Sequence, residues 1–292
     1  MKVLVLGSTG YIGTAVTRRL IDDGHTVVPF LKTRTALPSE PGLDVRIGDL
    51  TDPDSLRTAV TDDIDAVVNL ATPTGDEQAD AAAVDALTAP LRGTHRAFLY
   101  TSGIWVLGAT GDRPATEDTP TNAIDIVGYR PRIEQQVLDA ARHDVRTSVI
   151  RPGIAYGHGG GIPALMLAWA KEHGTGRYVG TPGTRWPMVH VDDLAALYGL
   201  VLTKADAGTL WHGVAVDSVG TPALAAAADL AAGGIGRAEP WPLEQAAETL
   251  GLPFAQALAL DQTVSGDRAV RLLGWRPAQA HPTTDLTAGP RA

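Results

Sequence analysis

The chain opens on an apolar run, Val3 to Leu6, bounded by Lys2 before it and by Gly7, Gly10 and Gly13 after it. A short β-branched run of this kind predicts a strand buried on both faces. Over residues 12–23 the apolar period lengthens to that of an amphipathic helix. The alternation then repeats. Strands are expected at 25–30, 43–47, 65–70, 97–101 and 145–150, and helices at 78–91 and 124–143. Asp52 followed by Pro53 is a cap and first-turn pair that opens a helix to about residue 60. Pro29 would delete a ladder bond inside a strand, so it is expected at the strand's end. Strand and helix in this rhythm predict an α/β fold, a Rossmann-type doubly wound parallel sheet with helices on both faces and ligands at the carboxyl ends of the strands.

Beyond residue 150 the pattern is mixed. The segment 108–122 is polar and rich in Pro, Gly and Thr, placed where a loop covers a ligand or simply connects elements. The glycine-dense stretch from Arg151 to Pro163 marks a crossing out of the sheet. Residues 1–155 are therefore read as a dinucleotide-binding domain whose core also receives parts of 185–215, and 156–292 as a smaller, mixed substrate-binding part. Helices are expected at 162–173 and 193–203, a strand near 188–191, two later alanine-rich helices and a frayed tail over 283–292.

The glycine spacing has a chemical reading. A diphosphate sits on the first turn of a helix only if the backbone comes close enough for N–H groups and the helix dipole to face it. Gly7 permits the tight turn, Gly10 the close approach, and Gly13 the packing of helix on strand. Composition narrows the partners. With 33 acidic against 24 basic residues the net charge is -9, which argues against nucleic acid or an anionic membrane as partner. The absence of cysteine excludes disulfides and thiolate chemistry. No run approaches the roughly 18 apolar residues of a membrane span, so a cytoplasmic protein acting on a small molecule is expected, with a homodimer left open. Abundant alanine and glycine with few lysines suggest a GC-rich bacterial genome.

With these residues placed, the chain resembles the extended short-chain dehydrogenase/reductase superfamily, the branch called NAD-dependent epimerase/dehydratase. The resemblance rests on GSTGYIG at Gly7 to Gly13, GDL at Gly48 to Leu50, NLA at Asn69 to Ala71, YTSG at Tyr100 to Gly103, RPGIAYG at Arg151 to Gly157, HVDDLA at His190 to Ala195, and LGWRP at Leu273 to Pro277. It implies that the turn Gly7, Thr9, Gly10, Tyr11, Ile12 and Gly13 cradles a dinucleotide. Asp49 accepts the adenine amino group and Leu50 packs on the ring. Leu70, Ala71 and Thr72 line the dinucleotide beyond the fourth strand, and Tyr156 lies near the nicotinamide. His190 and Asp193 read as residues fixing a helix start. No second histidine stands at ligand spacing, so no metal site is expected.

The family's catalytic Tyr-x-x-x-Lys pair is not intact. Anchored on Glu134, the lysine's position holds Arg130 and the tyrosine's holds Ile126. Tyr129, three residues further on the same expected helix face, is the candidate acid, and Arg130 a ribose-binding cation that relays no proton. Gly103 stands where the family's serine is usual, with Ser102 one residue before it, either bonding substrate or capping the strand. Ile154 replaces the asparagine of members acting on nucleotide sugars, and the stretch 177–188 with Trp169 offers aromatic, apolar surface. At the end of the second strand Leu31 stands where NAD-specific relatives carry an acid, followed by Lys32 and Arg34, which favours NADP over NAD. Three functions stay open: an NADP-dependent reductase of a carbonyl or imine of a small apolar metabolite, an epimerase, isomerase or cyclase without net redox, and a dinucleotide-sensing binding protein.

Overall fold

The first strand feeds the first helix through four residues, and the sheet grows outward from there. The structure, a computed structural model, describes residues 1–33 and 44–289. In chain order the elements are β1 (Lys2–Leu6), α1 (Tyr11–Asp22), β2 (Thr26–Leu31), β3 (Arg46–Ile47), α2 (Pro53–Ala59), β4 (Ala66–Asn69), α3 (Glu77–Thr88), β5 (Ala97–Thr101), α4 (Arg130–Asp139) and β6 (Arg146–Pro152). They continue with β7 (Ile154–Gly157), α5 (Gly161–His173), β8 (Gly176–Val179), β9 (Arg185–His190), α6 (Val191–Lys204), β10 (Thr209–Gly213) and β11 (Val216–Gly220). Then come α7 (Thr221–Ala231), β12 (Ala238–Trp241), α8 (Leu243–Leu250), α9 (Leu252–Leu258), α10 (Asp267–Leu273) and α11 (Pro282–Ala288).

Two compact units result. The first comprises Met1–Ser102, Tyr129–Arg151 and Ala195–Trp211, the second Gly103–Gly128, Pro152–Leu194 and His212–Ala292, which is no smaller than the first. The large sheet has the order β3-β2-β1-β4-β5-β6-β10, and every pair from β3 to β6 is parallel. The order reverses between β1 and β4, the switch point of a Rossmann sheet. Leu4, Leu6, Val28, Phe30, Leu56, Leu87, Phe98 and Val149 fill one face of this sheet against α2, α3 and α4. Asp52 caps α2 as expected, accepting the Asp54 and Ser55 amides.

Glu134 on α4 and Arg151 on β6 form a buried ion pair, Nε to Oε1 at 3.0 Å, with side chains no more than 5% exposed. It ties helix to sheet where neither group has water to fall back on.

In the second unit β7, β9 and β11 form a sheet, and β8 pairs with β12. Tyr178, Trp186, Met188 and Trp241 are buried in its core, and the Trp186 indole donates to the Leu258 carbonyl at 3.1 Å. The aromatic stretch expected to face a substrate is thus spent on packing. Ile154, 8% exposed, belongs to the same core. The 108–122 loop is tied down within this unit. Ala115 exchanges backbone hydrogen bonds with Thr263 and Ser265, and the Gln262 amide donates to the Ile104 and Gly108 carbonyls, all within this unit.

Several expected bounds move for identifiable reasons. Residues 124–143 are not one helix: a 3-10 turn covers Asp125–Val127, and α4 starts at Arg130 because Pro131 takes its first turn. Tyr129 and Ile126 therefore do not share a helix face. Pro29 lies inside β2 opposite Val5, tolerated because β3 reaches only Phe30 and Leu31 on the other side. The tail forms α11 rather than fraying at residue 283. Among the described residues no helix is long and apolar enough to cross a membrane.

Removing one partner of the buried pair leaves the other charged and unpaired, so Glu134→Ala should lower unfolding stability by about 3–5 kcal/mol in urea titration.

Candidate functional site

The turn after β1 is built on steric exclusion. Gly7 has φ of +76°, and a Cβ there would stand 2.7 Å from the Ala71 nitrogen. A Cβ on Gly13 would lie 1.9 Å from the Gly7 carbonyl oxygen, so helix and turn meet more closely than any side chain permits. Gly10 takes the N-cap position of α1 with no side-chain cap, and no acidic residue stands in the first turn. Tyr11, Ile12 and Gly13 thus present main-chain amides at the positive end of a 12-residue helix. That is the chemistry a diphosphate requires, and the residues present fit a dinucleotide.

A cavity of roughly 390 Å³ opens beside this turn, lined by Gly7, Thr9, Lys32, Asp49, Leu50 and Ala71. Leu31 completes its wall with Leu6, Phe30, Thr33, Gly48, Thr51 and Thr74, of which only Leu31 was given a cofactor role from sequence. Leu70 is half-buried with its carbonyl against Gly7, and Thr72 is exposed one residue beyond Ala71. Leu31 is buried at the end of β2, so that position offers no carboxylate. Lys32 extends into solvent and pairs with Asp49, Nζ to Oδ2 at 2.9 Å. The Asp49 carboxyl is pulled down to about 2, first by the Thr51 amide and then by the Lys32 ammonium. Arg34 lies outside the described residues.

At the carboxyl end of β5 the expected catalytic residues separate. Ser102 is 7% exposed, and its hydroxyl has no hydrogen-bond partner. Arg130 donates to the Thr101 carbonyl at 2.6 Å and stands over the Tyr100 ring at 5.7 Å, while its Nε is buried with no partner. The Thr101 hydroxyl is engaged by Tyr198 at 2.6 Å. These groups bring one fixed cation and one orphaned hydroxyl to the strand end.

Tyr129 does not behave as the expected acid. Its hydroxyl donates to Asp80 at 2.6 Å, and burial together with that carboxylate pushes the phenol up to about 12. The neighbouring Arg130 charge pulls the other way but only weakly. Asp80 also accepts the Thr74 amide and hydroxyl, at 2.9 and 2.8 Å. Tyr129 therefore belongs to a node that holds the loop after β4, whose Thr74 lines the cavity. Sequence spacing gave no sign of it, since Asp80 lies 49 residues from Tyr129.

In the second unit Tyr156 is buried, its hydroxyl given to the Ala280 carbonyl at 2.7 Å and its acidity suppressed by burial. Asp193 accepts the Ala278 and Gln279 amides, a structural role but one that holds a distant segment and not, as expected, the start of a helix. His190 accepts the Asp192 amide at Nδ1, 3.1 Å, as a helix-start residue should. The expectation that no second histidine approaches it fails, because the left-handed residue His158 brings its ring to 5.4 Å from His190.

Comparison with known proteins agrees with this geometry. Residues 3–212 match the model of the NAD dependent epimerase/dehydratase family. The uncharacterized Schizosaccharomyces pombe protein C2A9.02 is 30% identical over 99% of both chains. A 2-alkyl-3-oxoalkanoate reductase of Stenotrophomonas maltophilia is 28% identical over 74% of this chain and 69% of its own. Among solved structures, human epimerase family protein SDR39U1 with NADPH superposes with a TM-score of 0.77 over 99% of this chain and 98% of that one, at 23% identity, a likeness of fold. By the family match over most of its length, and by the glycine turn and switch-point cavity that match predicts, this chain belongs to the NAD-dependent epimerase/dehydratase family of Rossmann-fold proteins.

Proposed function

We propose that the protein is an NADP-dependent oxidoreductase that reduces a carbonyl or imine group of a small, largely apolar metabolite. The observation that carries the cofactor preference is the end of β2: Leu31 buried where a carboxylate would hold ribose hydroxyls, and Lys32, 82% exposed at the side chain, free to turn from Asp49 to a 2′-phosphate. An NADPH-bound structure among the similar folds and a named reductase among the relatives support the same reading.

A bound reduced nicotinamide supplies the hydride equivalent; the chain must stabilise the oxygen or nitrogen that gains charge. Arg130, fixed at the end of β5 and permanently cationic, does this electrostatically and moves no proton. The Ser102 hydroxyl, buried without a partner, donates a hydrogen bond to that atom, and the proton that completes the reduction comes from water. Tyr129, committed to Asp80, orders the loop carrying Thr74. Ile154 is packed in the core of the second unit and offers no hydrogen bond, so it supplies none of the donors that a sugar diphosphate needs. One observation favours a second reading. With the phenol tied to a carboxylate, a role without net redox gains weight: an isomerase takes up no net proton, and a dinucleotide-binding protein needs no proton donor at all.

Incubation with NADPH and a carbonyl panel should consume the nicotinamide absorbance; product formation without that change would select the second reading. Lys32→Ala should weaken NADPH binding about tenfold while leaving NADH binding nearly unchanged, and equal NADH and NADPH dissociation constants in the wild type would overturn the preference. On the best substrate, Ser102→Ala should lower kcat about tenfold or more at unchanged cofactor affinity. Tyr129→Phe should instead lower stability by about 1–3 kcal/mol, because Asp80 loses a donor, with kcat little altered. A hundredfold fall in kcat at unchanged stability in Tyr129→Phe would restore the phenol as proton donor.

A further inference from the structure

The glycine-dense crossing after β7 does something that packing does not require. His158 sits among four glycines with φ of +51°, a left-handed conformation uncommon for any residue with a Cβ, although histidine enters it more readily than most. This conformation keeps the exposed imidazole on the start of α6, where Nε2 lies 2.8 Å from the Asp192 carboxylate. The buried ring of His190 stands beside both, Nδ1 3.7 Å from the same carboxylate. One ligand atom from each of the three residues falls within 4.8 Å of the other two.

We propose that His158, His190 and Asp192 form a binding site for a divalent transition-metal ion, with zinc the closest chemical match. The argument is independent of the dinucleotide reading, since all three residues belong to the second unit. Zinc holds nitrogen and oxygen ligands at about 2.0–2.2 Å, which sets neighbouring ligand atoms of a tetrahedron about 3.4 Å apart. The two measured edges, 2.8 and 3.7 Å, bracket that spacing, and the third, between the two rings, lies within 4.8 Å, so closure onto an ion asks the side chains to move and not the backbone fold. Two imidazoles with one carboxylate suit zinc, nickel or copper, whereas calcium and magnesium prefer all-oxygen shells.

The tautomer of His190 fits as well. Its Nδ1 already accepts the Asp192 amide, so the lone pair faces the cluster and the proton resides on Nε2. An ion at Nδ1 displaces only an amide in the first turn of α6, a donor with no partner inside its own helix. Nε2 in turn faces the Asp285 carboxylate on α11 at 3.9 Å, a distance a hydrogen bond would have to shorten. Metal-bound histidines regularly give their other N–H to such a carboxylate, which fixes the ring and raises its basicity. Tyr156 packs edge-on against the opposite side of the ring and supplies no free ligand, because its hydroxyl is held by Ala280. His158 is exposed and Asp192 half-buried, leaving a fourth position for water.

The test is a competition titration of zinc against a chromogenic chelator, on the tag-free full-length chain, for the wild type, His158→Asn and Asp192→Asn. Asparagine tolerates the left-handed backbone, so His158→Asn removes the imidazole without adding strain. Melting temperatures without metal check the fold, and if one variant unfolds the other decides. The wild type should show one saturable site of micromolar or tighter affinity, and each substitution should weaken it at least about tenfold. Cobalt should give the wild type the visible absorption of a tetrahedral ion, lost in His158→Asn. No saturable site in the wild type, or equal affinity in all three chains, overturns the proposal.

Discussion

The contact between Gly13 and the Gly7 carbonyl is the constraint from which the rest of the first unit follows. A helix can start this close to the strand it follows only if neither surface carries a side chain at the crossing, and a Cβ on Gly13 would overlap the carbonyl. That proximity aims the amides at the head of α1 past the ends of β1 and β4, where the strand order reverses. The cavity is what remains when two neighbouring loops leave the sheet in opposite directions. Its polar walls come from the residues that follow β2, β3 and β4, placed by the strand ends and, at Thr74, by the loop that Asp80 holds.

Around this frame the chain uses buried charge in two ways. Glu134 and Arg151 cancel each other between helix and strand, and serve position rather than chemistry. Asp80 collects donors from Thr74 and Tyr129, holding a loop that borders the cavity against the beginning of α4. The residue types that suggest catalysis in a linear reading are here partly structural. What is left without a partner at the end of β5, the Ser102 hydroxyl and one nitrogen of Arg130, is what a bound molecule has yet to satisfy.

The parallel sheet was legible because strands buried on both faces read as apolar runs, and β5 was placed to the residue. The glycine turn was legible because close approach forces a residue type. Less was visible where the cause lies far along the chain. Nothing near Tyr129 announces Asp80, and nothing near His190 announces His158, 32 residues earlier and brought back by the crossing β7–α5. Pro131 did carry a signal, since proline favours a first helical turn, and it marks where α4 begins. The short strands β7, β8, β11 and β12 escaped because strands of four or five residues in mixed surroundings show no period. The aromatic stretch 177–188 misled, because apolar residues in the core of the second unit cannot be told by type from those facing a ligand.

The central claim is that the space kept open at Gly10 admits a dinucleotide diphosphate to the head of α1. Gly10 has an extended backbone that other residues can adopt, and a Cβ there would come within 3.3 Å of the Gly7 oxygen, tight but not overlapping. Gly10→Val should therefore fold while filling the approach. In titration calorimetry the wild type should bind NADPH at one site per chain, and Gly10→Val, with its melting temperature nearly preserved, should show no saturable binding. Wild-type affinity retained in a folded Gly10→Val would contradict the account.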